Sequence, residues 1–235
     1  MNIVKWEQLP VEMQTLEVKR YYNILKGKRC YLFLKRLFDI VVSTLALIVL
    51  SPLFLLLAIM IKMDSTGPVF YRQERVTQYG KRFFIHKFRT MVANADEGSQ
   101  LTLNNDGRIT RVGRFIRGCR LDETAQLIDV ISGKLTLVGT RPEIPQFVER
   151  YSNEMMATLL LPAGVTSLAC VYYKDEAKLL DGLKDADRVY VEKILPAKMH
   201  YNLKEIETLS FKNDIKILFM TVFAIFGKEY RDNCL

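Results

Sequence analysis

Two consecutive carboxylates, Asp122 and Glu123, stand in the most cationic stretch of this chain. Arg108, Arg111, Arg114 and Arg117 recur every third residue ahead of them, with Arg120 closest. Behind them Leu127, Ile128 and Ile131 keep helical spacing until Gly133. The spacing predicts a helix whose N-terminus holds both acids, where the macrodipole, Arg117 and Arg120 favour the ionised forms. Such a pair is ordinarily a capping device. In the company of arginines suited to phosphate, one carboxylate could attack and its neighbour could hold Mg²⁺. Upstream, Lys87 and Arg89 alternate with Phe88, so on a strand the two cations share a face that suits an anionic ligand, or equally a solvated surface.

The elements that must position these groups begin with an apolar run. From Ile40 to Ile61 there is no charged residue, and as a helix this stretch extends roughly 33 Å, against a hydrocarbon core of roughly 30 Å. It reads as a membrane segment. Pro52, preceded by Ser51, predicts a break near its middle, with the Ser51 hydroxyl available to a backbone group released there. Both flanks are basic: Lys26, Lys28, Arg29, Lys35 and Arg36 before it, Lys62, Arg72, Arg75, Lys81 and Arg82 after it. Neither flank suits export, so a broken helix that enters and leaves by one face is expected over a simple kinked span.

The chain is therefore expected to be an α+β monotopic membrane protein. Residues 1–35 form a basic interfacial segment, 36–62 the re-entrant helix, and 63–235 a cytoplasmic catalytic domain ending in an interfacial helix at Ile215–Phe226. In the first segment Gly27 separates two short helices, and Tyr21, Tyr22 and Tyr31 are expected at headgroup level. Asp39, one turn after Arg36, is expected to pair with it in a structural role. Val69–Tyr71 and Arg82–Arg89 read as strands around a turn at Tyr79–Gly80, and Ala93–Asn105 as a loop or frayed helix. Phe147, Val148, Tyr151, Met155 and Leu159 predict a core-packing helix over Ile144–Leu161, broken by Pro145 and ended by Pro162. A further helix over Asp185–Glu207 is interrupted at Pro196 and carries Asp187 and Tyr190 in structural roles.

Composition narrows the partners. With 34 Lys+Arg against 26 Asp+Glu and a net charge of +8 in 235 residues, the chain attracts anions. Beside a membrane segment, lipid headgroups or lipid-linked phosphate are the nearer candidates, and nucleic acid is not expected. Cys30, Cys119, Cys170 and Cys234 form no paired spacing, so reduced thiols are expected. With only His86 and His200, a zinc site is not expected. The apolar run begins too deep in the chain and is too long for a cleavable signal.

Taken in order, these residues resemble a family, the bacterial sugar transferases known as small monotopic phosphoglycosyl transferases or undecaprenyl-phosphate sugar phosphotransferases. The matches are Lys35-Arg36-Leu37-Phe38-Asp39, Ser51-Pro52, Gly67-Pro68-Val69-Phe70 with Arg72-Gln73-Glu74-Arg75-Val76, Lys87-Phe88-Arg89-Thr90-Met91, and Arg111-Val112-Gly113-Arg114-Phe115-Ile116-Arg117. They continue through Leu121-Asp122-Glu123, Gln126-Leu127, Val138-Gly139, Arg141-Pro142-Glu143 and Pro162 to Ala169.

The resemblance implies a UDP-sugar donor, a polyprenyl phosphate acceptor and the cytoplasmic face of a bacterial inner membrane. It implies Asp122 as nucleophile on the β-phosphorus, with UMP released and a sugar-phosphate left on the carboxylate, and Glu123 as ligand of Mg²⁺. Lys87, Arg89 and Arg117 are then candidates to neutralise phosphate, and Arg141, held by Pro142, to meet the nucleotide. Ser51 and Pro52 mark the membrane kink.

The chain departs from the family's pattern at Thr124-Ala125, at Thr77, at Ala163-Gly164-Val165-Thr166-Ser167, and at Thr140, whose usual proline would stiffen the loop before Arg141. The alternative from another class is a membrane-anchored basic adaptor without catalysis. Sugar identity, glycan pathway and oligomeric state are not legible, because selectivity rests on a few pocket contacts.

Overall fold

The computed structural model describes residues 1, 3–92, 107–180, 183 and 185–230. The expected loop or frayed helix at Ala93–Asn105 and the thiol Cys234 lie outside the described residues.

The chain opens with α1 (Leu16–Lys26), capped where the Thr15 hydroxyl accepts the Val18 N–H, and ended by Gly27. It restarts as α2, one helix of 36 residues from Arg29 to Asp64 with Pro52 inside it. Two expectations are corrected here. The second helix after Gly27 is not short, because the lead-in and the apolar run are one element. Nor does the helix stop at Pro52. That proline has no N–H to give Ile48, and the Ser51 hydroxyl donates to the freed Ile48 carbonyl at 2.8 Å, so helical backbone persists. Among the described residues α2 is the one helix long and apolar enough to cross a membrane.

Both ends of α2 pack on the rest of the protein while its middle does not. Lys35, Asp39 and Ser43 are buried near one end, Leu57 and Ile61 near the other. Leu45, Ile48, Val49, Leu55 and Leu56 between them are exposed. The Asp39 carboxylate accepts from the Thr136 hydroxyl at 2.5 Å and the Leu137 N–H at 3.4 Å. Arg36 instead donates to the Val130 and Ile131 carbonyls at 2.7 and 3.0 Å. Asp39 is thus structural as expected, but its partner is not Arg36. Arg36 is drawn off by the orphan carbonyls of a helix C-terminus, which a cation complements.

A hairpin follows: β1 (Phe70–Val76) pairs antiparallel with β2 (Arg82–Phe88), and Tyr79 and Gly80 both take positive φ in its turn. Next come α3 (Arg111–Gly118), a 3₁₀ turn Leu121–Gln126, α4 (Leu127–Ile131) and β3 (Leu135–Val138). Then α5 (Pro145–Val148), a 3₁₀ turn Met155–Leu160, β4 (Ala163–Thr166), α6 (Leu168–Tyr172) and α7 (Glu176–Leu180). The chain closes with α8 (Ala186–Val189), a π turn Tyr190–Ile194, α9 (Leu195–Glu207) and α10 (Phe211–Ile225). β3 and β4 pair in parallel. Beside them the Gly139 and Gly164 backbones touch so closely that a Cβ on Gly164 would overlap Gly139.

The anticipated helix over Ile144–Leu161 is two short pieces. Pro145 starts α5 rather than breaking a longer helix, and the Ser152 hydroxyl accepts the Met155 N–H to begin the second turn. Phe147 and Leu159 still enter the core. Ahead of Pro196 the interruption is the π turn.

The tyrosines expected at headgroup level are instead engaged within the fold. Tyr21 and Tyr22 are buried with Leu25, Leu160 and Ile206. Their hydroxyls donate to Glu154 Oε1 at 2.8 Å and the Val4 carbonyl at 3.0 Å, while Tyr31 donates to Asp214 at 2.6 Å. Each ring finds core on one end and an acceptor at the other, which outcompetes an interface. α10, in contrast, leaves Phe219, Val222, Phe223 and Ile225 exposed, as is Phe226 just after it.

Glu205 of α9 is buried against Lys35, Asp214 and the Leu168 N–H, and burial pushes its carboxyl up to about 7. An unfolded chain releases that proton near pH 4.3. Between those values the folded state holds the extra proton, so stability falls as pH rises and the deficit is complete above about 7. Glu205→Gln is therefore expected to raise stability at pH 8 by on the order of 3 kcal/mol and to change little at pH 4. Thermal melts at the two pH values check this, and an equal gain at both would make the effect packing rather than titration.

Candidate active site

The hairpin and the 3₁₀ turn Leu121–Gln126 face each other, and α4 continues the turn. Arg120, immediately before the turn, adopts φ 53°, a left-handed conformation uncommon outside glycine. Its side chain reaches away, to the Lys174 carbonyl at 2.7 Å. This sharp entry places Asp122 and Glu123 in the turn's first positions, as the helical spacing predicts.

β2 brings the opposing cation. Tyr71, Gln73 and Arg75 of β1 lie opposite Lys87, Ile85 and Phe83 of β2, so these six share one face. Lys87 Nζ lies 3.1 Å from Glu123 Oε1, while the Phe88 ring turns to the other side and packs on Phe54 of α2. Asp129 of α4 anchors the strand: its Oδ2 accepts the His86 N–H and its Oδ1 meets His86 Nδ1, each at 2.8 Å. Arg72 NH1 approaches His86 Nε2 at 2.7 Å. A guanidinium can only donate, so Nε2 accepts and the Nδ1 proton points at Asp129.

The loop after β3 supplies Arg141, whose guanidinium forks onto both oxygens of Glu123, with NH1 2.9 Å from Oε2. Although Thr140 replaces a stiffening proline, the loop is tied down. Gly164 N–H donates to the Thr140 carbonyl at 2.7 Å, and Arg75 NH1 to the Pro142 carbonyl at 3.1 Å. Thr77 is absorbed too: its hydroxyl donates to the Lys134 carbonyl at 2.7 Å and accepts the Ala163 N–H at 3.1 Å.

The two carboxylates are not equivalent. Burial would push Glu123 up, but Arg141 and Lys87 outweigh it and hold the carboxyl well below its ordinary range. Asp122 has no hydrogen bond or ion pair among the described residues. Burial and the charge of Glu123 raise its carboxyl, partly offset by Lys87, Arg117 and Arg141. The expectation that the surroundings favour the ionised form thus holds for Glu123, whereas at Asp122 burial and Glu123 work against it, because the cations bind its neighbour.

Of the other anticipated residues, Lys87, Arg117 and Arg141 stand around the pair, with Pro142 beside Arg141. Arg89 does not. It is buried with its guanidinium on the Thr66 and Ser65 carbonyls, both at 2.7 Å, tying down the chain that leaves α2. Sequence reasoning missed a buried network beside Arg141. Tyr190 donates to Glu143 Oε1 at 2.6 Å, and Lys198 Nζ reaches Glu143 at 3.3 Å and Glu176 at 2.9 Å. Tyr190 was visible as structural; Lys198 carries no local signal.

Among the described residues no three His, Cys, Asp or Glu gather to cage a metal. Mg²⁺ commonly needs only one or two carboxylates, with phosphates and water completing its shell. Asp122 and Glu123 offer hard oxygens of that kind, and Glu123 Oε2 has a single donor among the described residues, so the pair fits such an ion. The arrangement can bind a phosphorylated ligand and present one unengaged carboxylate to it.

Comparison with known proteins bears on the chain as a whole. The family described as bacterial sugar transferase matches residues 30–228. A UDP-N-acetylgalactosamine-undecaprenyl-phosphate N-acetylgalactosaminephosphotransferase of Aeromonas hydrophila is 34% identical over 199 residues, 83% of this chain and 44% of the relative. An undecaprenyl-phosphate galactose phosphotransferase of Salmonella typhimurium is 34% identical over 219 residues, covering 86% and 42%. A UDP-glucose:undecaprenyl-phosphate glucose-1-phosphate transferase of Klebsiella pneumoniae is 36% identical over 198 residues, covering 82% and 40%. The chain spans about two fifths of the length of these curated relatives.

Proposed function

The chain belongs to the bacterial sugar transferase family, and from that membership we propose that it moves a sugar-1-phosphate from a UDP-sugar to polyprenyl phosphate, releasing UMP. The observation that carries the proposal is the division of labour in the pair: Glu123 takes Arg141 and Lys87, while Asp122 stays unengaged among the described residues. An Asp122 oxygen attacks the β-phosphorus, and the bond from that phosphorus to the bridging oxygen breaks, so UMP departs with the electron pair. An oxygen of polyprenyl phosphate then attacks the same phosphorus. The acyl-phosphate bond breaks, and Asp122 returns as a carboxylate.

Lys87, Arg117 and Arg141 lower the repulsion between attacking carboxylate and phosphate oxygens, and the turn fixes the line of attack. Mg²⁺ belongs to the proposal: held by Glu123 with Asp122 beside it, the ion would neutralise diphosphate charge. Three curated relatives are named for three different sugars, so the sugar is left to experiment.

The membrane part of the proposal is that α2 enters and leaves by the cytoplasmic face of the inner membrane. Arg36 bonds the Val130 carbonyl, while Leu57 and Ile61 share a cluster with Ala125, about one helical turn from Val130. A straight helix would separate Arg36 from Ile61 by roughly 38 Å, several times the span from Ala125 to Val130. A bend that brings both arms back to one body reconciles the two, and the exposed apolar middle is then the part immersed in lipid. The apolar residues of α10 lie against the same surface.

Two experiments test these proposals. Purified protein given a panel of UDP-sugars, polyprenyl phosphate and Mg²⁺ is expected to release UMP with at least one sugar, to stop after chelation and to resume when Mg²⁺ is restored. No release with any of them sinks the reaction. For topology, Cys30 and a Lys62→Cys substitution should both react with an impermeant maleimide in inverted vesicles and neither in spheroplasts. Labelling on opposite sides would make α2 a span.

A further inference from the structure

Arg75 is a cation that the mechanism above does not use. It lies on the same face of the hairpin as Lys87, two positions along β1 from Gln73. Its Nε and NH2 donate to Gln73 Oε1 at 3.2 and 2.7 Å, and its NH1 to the Pro142 carbonyl at 3.1 Å. These neutral acceptors aim the guanidinium without neutralising it. Among the described residues no carboxylate oxygen lies within 4.0 Å of it. Glu143 is near enough to attract it, but Glu143 Oε1 is engaged by Tyr190 and Lys198.

A half-buried guanidinium with no carboxylate in direct contact keeps charge available for an anion. Proteins keep such a group where an anionic ligand completes it. Around Asp122 and Glu123 the cations are Lys87, Arg117, Arg141 and Arg75, two for each carboxylate. Adding Glu143, Glu176 and Lys198 still leaves the cluster positive. A diphosphate brings the negative charge that a net-positive cluster attracts, and Arg75 has N–H groups to spare.

We propose that Arg75, aimed by Gln73 and the Pro142 carbonyl, is a phosphate-binding residue of the donor's diphosphate, reaching the site from the hairpin. This rests on the reading of the site as a UDP-sugar site, and it adds a ground-state contact rather than a chemical step. Losing Arg75 therefore weakens binding more than it slows chemistry.

The test is calorimetric titration of inorganic pyrophosphate into the full-length protein, beside KM and kcat for a UDP-sugar that is turned over. Arg75→Gln is expected to weaken pyrophosphate binding at least tenfold and to raise KM by a similar factor with kcat changed less. Arg75→Lys, which keeps the charge and loses the fork, should fall between, and it replaces the glutamine variant if that one fails to fold. Arg82→Gln, exposed on the face of β2 away from Lys87, should leave pyrophosphate affinity unchanged. Wild-type affinity and KM in folded Arg75→Gln, or in Arg75→Lys where that is the variant read, would make Arg75 a structural tie and overturn the proposal. Pyrophosphate binding needs no turnover. Arg75-dependent binding in a protein that releases no UMP would thus sink the transferase reading and leave an anion site standing.

Discussion

Asp122→Asn is expected to lower UMP release roughly 10³-fold or more, because the amide cannot form the bond to phosphorus that the carboxylate forms. The substitution keeps size and shape, and Asp122 holds no hydrogen bond among the described residues, so little else in the site should change. Pyrophosphate affinity should hold or rise, because a repelling charge is removed, and the melting temperature near neutral pH should not fall, because the Asp122 carboxyl is raised in the folded state. In the parent, activity should rise with pH as Asp122 deprotonates. Its midpoint should lie above the ordinary aspartate value of about 3.9, since burial and Glu123 both raise it. Incubating the parent with UDP-sugar and no lipid acceptor should add a phosphosugar to the peptide carrying Asp122, read by mass, and the variant should show none. Full turnover in Asp122→Asn, or an adduct on another residue, would remove Asp122 from the chemistry.

Glu123→Gln should show the second largest effect and a different signature. The glutamine keeps one oxygen for Arg141 or Lys87 but discards the charge that both neutralise. Turnover is expected to fall about 10²-fold, the usual scale for losing one electrostatic element of a reactive site. Asp122 then loses a neighbouring negative charge and keeps Lys87, Arg117 and Arg141, so the activity midpoint should move to lower pH. Stability should change in parallel. The Glu123 carboxyl is depressed in the folded state, so its contribution is present above about pH 4.3 and is lost as pH falls through the depressed value. The melting difference between parent and variant should shrink in acid. An unchanged midpoint with a large fall in rate would mean that the two carboxylates are not electrostatically linked.

Much of the outline was already present in the order of residue types. The apolar run, its Ser51-Pro52 pair, the hairpin around Tyr79–Gly80 and the acidic pair at the start of a helical turn are local patterns, and local backbone preference is enough to express them. The use of the Ser51 hydroxyl at the proline could also be anticipated, because the freed carbonyl and its replacement donor are neighbours along one helix.

Whatever depended on competition among distant groups could not be read in this way. Arg36 stands one turn from Asp39, yet it bonds carbonyls at the end of α4 because that helix terminus offers unpaired acceptors in the folded chain. Lys87 and Arg89 have the same spacing and charge, but one meets Glu123 and the other is consumed by Ser65 and Thr66. Tyr21 and Tyr22 look interfacial in the sequence and are core residues in the fold, because α9 and the turn at Met155–Leu160 close over them. The inequality of Asp122 and Glu123 arises in the same way: adjacent carboxylates are alike in sequence, and only the arrival of Arg141 and Lys87 from two other elements makes one a held anion and leaves the other unengaged. The sequence by itself determined which groups are available and which short elements carry them. The tertiary structure alone decided which charge meets which, since a long side chain bonds the partner that packing brings within about 3 Å, however far away it lies along the chain.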